Sequence, residues 1–121
     1  MDKFLIIHIG LLIISILYRL FPPNNINFLY GYRTKRSMKS QDTWNESNRY
    51  AANAMIMLAA IGITLVLISR YMIDFPMGER YSGLLMIIGL VAIIPIVEIH
   101  LHTNFDKDGR RKKRESKFNE Q

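Results

Sequence analysis

Two imidazoles and one carboxylate in this sequence form a set that suits a catalytic zinc ion: His8, His102 and Glu98. Their positions argue against a shared site. His8 lies near the start of one apolar block, whereas Glu98 and His102 lie at the end of another, so most of a bilayer would separate them. The sequence therefore predicts no metal site, and it offers no signature of any other cofactor.

Catalytic chemistry by the side chains is equally unsupported. The sequence contains no nucleophile and base at a recognisable spacing, no glycine-rich nucleotide loop and no paired acidic site. It has no cysteine, which excludes disulfides, thiolate metal sites and cysteine nucleophiles. Residues 106–109 lack the further ligands of a calcium loop and predict a turn. We therefore predict that the protein is not an enzyme.

Glu98 is the acid that most needs a partner, because a charge near the end of a membrane helix is costly when unpaired. It lies 16 residues beyond Ser82, which is roughly 24 Å of helix and places it near one membrane face. Arg33, Arg36 and Arg49 are expected at the same level. We expect one of them, with Arg33 and Arg49 as first choices, to pair with Glu98; the alternative is that the arginines extend to lipid headgroups.

Three apolar blocks position these residues: residues 4–21, 51–69 and 83–97, the last extended by Ile99 and Leu101. A bilayer core needs roughly 20 apolar residues per helix. A soluble bundle would need polar residues at every third or fourth position, and Thr64 is the one polar side chain in residues 56–68. A cleaved signal peptide would need a small-residue site after the first block, where Arg19 and two prolines stand instead. The sequence predicts an all-α integral membrane fold with three transmembrane helices and a polar interfacial segment between the first two.

The connections give the helix boundaries and the orientation. Ser40 predicts an N-cap, so the second helix should run without interruption from about Gln41 into the membrane. Residues 70–82 predict a short hydrated loop. The N-terminal side carries 3 basic residues and the opposite side 13, which predicts an outside N-terminus and a cytoplasmic tail in the plasma membrane. We interpret the basic run 110–114 as an orientation signal; the alternatives are anionic lipid and nucleic acid, and we expect no nucleic-acid partner.

The polar segment carries a pattern too specific for a spacer. Its members are Asn27, Gly31, Arg33, Thr34, Ser37, Ser40, Trp44, Asn48 and Arg49. This pattern, which we call the hallmark, resembles that of the SdpI immunity-protein family, and the resemblance extends over the three-helix arrangement. It implies a membrane domain over residues 1–105 followed by a basic cytoplasmic tail over residues 106–121. Trp44 would fold over one face of the second helix or serve as an aromatic-belt anchor.

The resemblance also implies a function. The named family member protects a toxin-producing bacterium from its own secreted peptide toxin and helps to hold a repressor at the membrane. We therefore expect a bacterial membrane protein that protects against a membrane-active peptide toxin. The alternative is a docking module for a cytoplasmic protein such as a repressor. A transporter or channel subunit would require a homo-oligomer, and the spans lack the polar stripe of a hydrated path.

Overall fold

The structure, a computed structural model, describes residues 3–27, 29–72 and 78–112. It contains three helices: α1 (Lys3–Leu20), α2 (Gln41–Tyr71) and α3 (Gly78–Asn104). Each is long and apolar enough to cross a membrane. Exposed isoleucines and leucines run along all three helices, as expected of a surface that faces lipid. The predicted all-α membrane fold with three spans is thus confirmed.

α2 is the central helix, since it packs along both α1 and α3, which touch each other at few positions. Its buried positions are mostly small: Ala51, Ala52, Ala59, Gly62 and Ser69. Small side chains let neighbouring helices approach closely where no hydrophobic force drives them together in lipid. On the α3 side, Ala51 packs into a core with Ile93, Val97, Leu101 and Phe105.

α2 is also longer than the bilayer requires. Its 31 residues span about 46 Å, against about 30 Å of hydrocarbon. The first turns of α2 therefore project beyond the membrane, at the end of the bundle where α1 and α3 terminate. We call this end the capped end, because residues 21–27, 29–40 and 105–112 fold over it.

The start of α2 agrees with the predicted N-cap. Ser40 has an extended backbone, and its side chain accepts a hydrogen bond from the backbone nitrogen of Thr43, while the Thr43 side chain accepts one from the Ser40 nitrogen. This reciprocal pair satisfies two of the amide groups that a helix start leaves without partners.

The predicted loop over residues 70–82 is shorter than expected. α2 continues to Tyr71 and α3 already begins at Gly78, because a helix that leaves the membrane no longer needs apolar residues and continues through charged ones of good helix propensity. Residues 73–77 of that loop lie outside the described residues, as do Phe28 in the polar segment and Lys113, Arg114 and Lys117 in the tail. Pro95 lies inside α3, where it removes one backbone hydrogen bond without ending the helix.

Candidate functional site at the capped end

The carboxylate of Glu98 lies at the centre of a polar cluster at the capped end. One oxygen, Oε1, accepts hydrogen bonds from the Tyr32 hydroxyl at 2.8 Å and the Thr34 hydroxyl at 2.6 Å. The other, Oε2, lies 3.4 Å from Nε of Arg36. Three neighbouring residues of the polar segment thus hold one acid of α3, which fixes the segment onto that helix.

Tyr32 is the donor whose chemistry is most altered by this arrangement. Burial raises the pKa of its phenol, and the hydrogen bond to Glu98 raises it further. The phenol therefore stays protonated and donates to the carboxylate across the physiological pH range. The same hydroxyl lies 3.2 Å from the carbonyl oxygen of Ile94, directly before Pro95.

Arg36 contacts Glu98. It is one of the three arginines expected at this level, although the sequence favoured Arg33 and Arg49. Its Nη1 also lies 3.1 Å from Nδ1 of His102, one helical turn beyond Glu98. Since a guanidinium only donates, Nδ1 of His102 is the acceptor. Arg33 is exposed, and Arg49 belongs to a different cluster, because its Nη2 lies 2.6 Å from Oε2 of Glu46.

Asn48 joins α1, α2 and the polar segment. Its Oδ1 accepts hydrogen bonds from the backbone nitrogen of Tyr32 at 2.7 Å and from the Tyr18 hydroxyl of α1, while its Nδ2 donates to the Trp44 carbonyl at 2.8 Å. The side chain is 1% exposed. A buried amide with its partners in place specifies one arrangement of α1, α2 and the polar segment.

Gly31 allows the chain to pass Asn48. Its φ is +111°, and a Cβ added there would lie 2.6 Å from Oδ1 of Asn48 and 2.7 Å from Cγ of Pro23. Both the backbone conformation and the lack of space require glycine.

Trp44 lies in the protein interior rather than in the headgroup layer. It is 0% exposed, and its Nε1 donates to the Pro23 carbonyl at 2.7 Å. An aromatic-belt anchor would face lipid headgroups, so that alternative does not describe this residue.

The remaining hallmark residues stabilise turns. Oδ1 of Asn27 accepts hydrogen bonds from the backbone nitrogens of Leu29 and Tyr30, at 2.9 and 2.7 Å. Thr34 and Ser37 exchange bonds, each hydroxyl accepting from the other's backbone nitrogen. These residues build the cap, and none of them is arranged as a nucleophile with its base.

Residues 105–112 return to the cap and pack on it. The Ser40 hydroxyl donates to the Gly109 carbonyl at 2.7 Å, and Phe105 pairs with Arg111 in an isolated β-bridge. Asp106 forms the predicted turn, since its Oδ1 accepts hydrogen bonds from the backbone nitrogens of Asp108 and Arg110, at 2.9 Å each. These bonds, chiefly that from Arg110, lower the pKa of Asp106.

A second cluster centres on Glu46, a residue that the sequence did not single out. Its carboxylate lies 2.8 Å from Nε2 of His100 and 3.7 Å from Arg111, in addition to Arg49. Tyr50 stacks on the His100 ring at a centroid distance of 4.0 Å. The spacing of Glu46 and Arg49 on one helix could have indicated their pairing, whereas the partners 54 and 65 residues away could not be inferred from local spacing.

His8 lies far from the cap. It is buried against Gly62, which is 14 residues beyond Asn48 on α2, or about 21 Å. Its Nδ1 donates to the Phe4 carbonyl at 2.6 Å, whereas its Nε2 has no partner among the described residues. Among the residues that the structure describes, no group of three His, Asp or Glu side chains is placed to bind a metal ion.

Two cavities flank the cluster. The apolar groove, of about 340 Å³, runs between α1 and α3 beneath the cap. Its lining residues are Ile14, Tyr18, Tyr30, Gly31, Tyr32, Ala51, Met55, Leu90, Ile93 and Ile94. The basic cavity, of about 670 Å³, lies beside the Thr34 and Glu98 contact. Its other lining residues are Lys35, Arg36, Lys39, His102, Phe105, Asp106, Lys107 and Lys112.

Comparison with known proteins identifies a family whose model covers most of these residues. The family model described as the SdpI/YfhL protein family matches residues 24–98, from the start of the cap to the acid at its centre. The uncharacterized protein YfhL of Bacillus subtilis (strain 168) is 54% identical over an 86-residue alignment, which takes in 59% of this chain and 78% of that protein. No solved structure matches the chain.

Proposed function

The chain belongs to the SdpI/YfhL protein family, and from this premise we propose that it is a non-catalytic membrane protein that protects its cell against a membrane-active peptide toxin. Protection would come from binding an apolar part of the peptide within the bilayer. The proposal places the protein in a bacterial plasma membrane, with the N-terminus outside and the capped end in the cytoplasm, as the distribution of basic residues favours.

The apolar groove is the observation that carries this proposal. It opens between two helices that barely touch, and most of its lining is isoleucine, leucine, methionine or tyrosine. Such a groove suits an apolar helix or a segment of one, with anchors at helical spacing. The exposed Ile94 side chain, 51% accessible, offers contact surface on α3.

The groove also gives the hallmark a role in binding. Gly31 and its two tyrosine neighbours form the end of the groove nearest the cap, and Asn48 and Glu98 fix Tyr32 in place. A toxin that arrives from outside would enter the bilayer first and reach the groove sideways through lipid. The position of the hallmark on the cytoplasmic side is then compatible with an extracellular toxin.

A growth assay tests the proposal. Sensitive cells that express the chain are challenged with the secreted peptide toxin of the SdpI system, in parallel with cells that carry an empty vector. Ile94→Trp should fill the groove and remove protection, whereas Ile88→Trp, at a residue of similar exposure (54%) outside the groove lining, should preserve it. Equal sensitivity of wild-type and empty-vector cells would reject protection against this toxin.

The second candidate function is docking of a cytoplasmic protein. It is favoured by the cap itself, where basic residues of the polar segment and of residues 106–112 are packed into one surface. Capture of a repressor from extract by the intact chain in nanodiscs, and loss of capture in Lys35→Glu, would support it over toxin protection.

A further inference from the structure

The basic cavity has a composition that the toxin proposal does not use. Five of its lining residues are basic: Lys35, Arg36, Lys39, Lys107 and Lys112. Two are acidic, Glu98 and Asp106. Its volume of about 670 Å³ falls in the range of small-molecule sites, roughly 300–1,000 Å³. A concave surface with this excess of positive charge attracts an anion.

The two acids are already engaged with other groups, and the five basic residues of the lining still outnumber them. Glu98 accepts from Tyr32 and Thr34 and pairs with Arg36. Asp106 accepts hydrogen bonds from two backbone nitrogens within its own turn. By contrast, the ammonium groups of Lys35, Lys39 and Lys107 make no hydrogen bond or ion pair among the residues that the structure describes. These three cations are therefore available to a ligand.

The cavity is held in shape by bonds between the chain segments that form it. The Ser40 hydroxyl binds the Gly109 carbonyl at 2.7 Å, and Nζ of Lys112 donates to the His102 carbonyl at 2.9 Å. Gly109 has a φ of +79°, and an added Cβ would lie 3.0 Å from the Cβ atoms of both Lys39 and Ser40. Because the wall is fixed before a ligand arrives, binding need not order it.

The position of the cavity indicates the kind of anion. It lies at Glu98 and His102, in the last turns of the apolar span Tyr81–Asn104, which the thickness of a bilayer core puts at the level of the headgroups. The apolar groove begins next to it, because Tyr32, which contacts Glu98, lines the groove together with Ile94. A phosphate bound by lysines beside an apolar surface is the arrangement that an anionic phospholipid requires. We propose that the basic cavity binds the phosphate headgroup of an anionic phospholipid from the leaflet at the capped end.

Lipid titration of the purified full-length chain tests this. Thermal unfolding in detergent is followed as phosphatidylglycerol or phosphatidylcholine with identical acyl chains is added, because a ligand that binds the native state raises the midpoint. We expect a clear preference for phosphatidylglycerol in the wild type, and roughly tenfold weaker binding in Lys39→Gln/Lys107→Gln. The control Arg19→Gln/Arg110→Gln removes the same charge from the same end but outside the cavity lining, and should bind like the wild type.

Other results would overturn the proposal. If the control loses as much affinity as the cavity variant, the attraction is a property of the whole surface. If inorganic phosphate or glycerol phosphate stabilises the wild type as well as phosphatidylglycerol does at equal concentration, the ligand is a free phosphate compound and not a lipid. The cavity variant could itself be less stable and unfold at a lower temperature without lipid. In that case Lys35→Gln/Lys107→Gln replaces it, because this variant leaves Lys39 in place against the Gly109 turn. The same loss of phosphatidylglycerol binding is expected.

Discussion

The hydroxyl of Thr34 lies 2.6 Å from the carboxylate of Glu98, 64 residues further along the chain. Two other residues of the polar segment, Tyr32 and Arg36, also contact this carboxylate. The Glu98 cluster borders both cavities, since Tyr32 lines the apolar groove and Thr34, Arg36 and Glu98 line the basic cavity.

Removal of the charge on Glu98 should therefore loosen the cap. We expect Glu98→Gln and Thr34→Val each to lower the free energy of unfolding in detergent, and the double variant to lose less than the sum by roughly 1–2 kcal/mol, since hydrogen bonds to charged groups are the stronger ones. Thr103→Val is the control, because that hydroxyl bonds only within its own helix, to the Ile99 carbonyl. Strict additivity of Glu98→Gln and Thr34→Val would contradict the coupling.

Gly31→Ala should destabilise the protein by about 1–3 kcal/mol, the cost of a strained backbone in a non-glycine residue, increased by the close approach to Asn48. The matched control is Gly10→Ala in α1, where an added Cβ meets nothing within 4 Å and the helix should be unchanged or slightly more stable. Thermal unfolding of both variants gives the comparison. Equal midpoints would show that the turn at Gly31 tolerates a side chain.

How much of this could be read from the sequence depends on the range of the interaction. The spans follow from hydropathy and the start of α2 from Ser40, because bilayer thickness and helix capping act on neighbouring residues. The level of Glu98 follows from helical rise alone. The sequence does not show which arginine reaches Glu98, because the turn that Thr34 and Ser37 form decides which side chain faces α3. The Glu46 and His100 pair was missed for the same reason, because it depends on the packing of two helices.

The turn at residues 106–110 should open in acid. The pKa of Asp106 is lowered in the folded protein, so its stabilising effect is present above the usual aspartate pKa and is lost as the pH falls through the lowered value. Hydrogen exchange of the Asp108 and Arg110 amides, expressed as protection factors, should show this loss. In Asp106→Ala, which removes the acceptor oxygen, the protection should be low already at neutral pH and should not fall further over the same range.

The orientation can be tested without removing native thiols, because the chain has no cysteine. Cysteine at Lys3 should react with an impermeant reagent in intact cells. Cysteines at the exposed Lys35 and Asp108 should react only after permeabilisation. The reverse pattern would show that the charge distribution does not set the orientation in this protein.

Site-specific photo-crosslinking tests the central claim, binding of a peptide toxin in the apolar groove, most directly. A photoreactive amino acid is placed at Met55, which lines the groove, or at Met57, which is 64% exposed and lies outside the groove lining. Labelled toxin of the SdpI system is then added to membranes that contain either variant. We predict a crosslinked product from position 55, displaced by unlabelled toxin and absent in the Ile94→Trp background, and little product from position 57. Equal crosslinking from both positions, or none at position 55 in cells that are protected, would contradict binding in the groove.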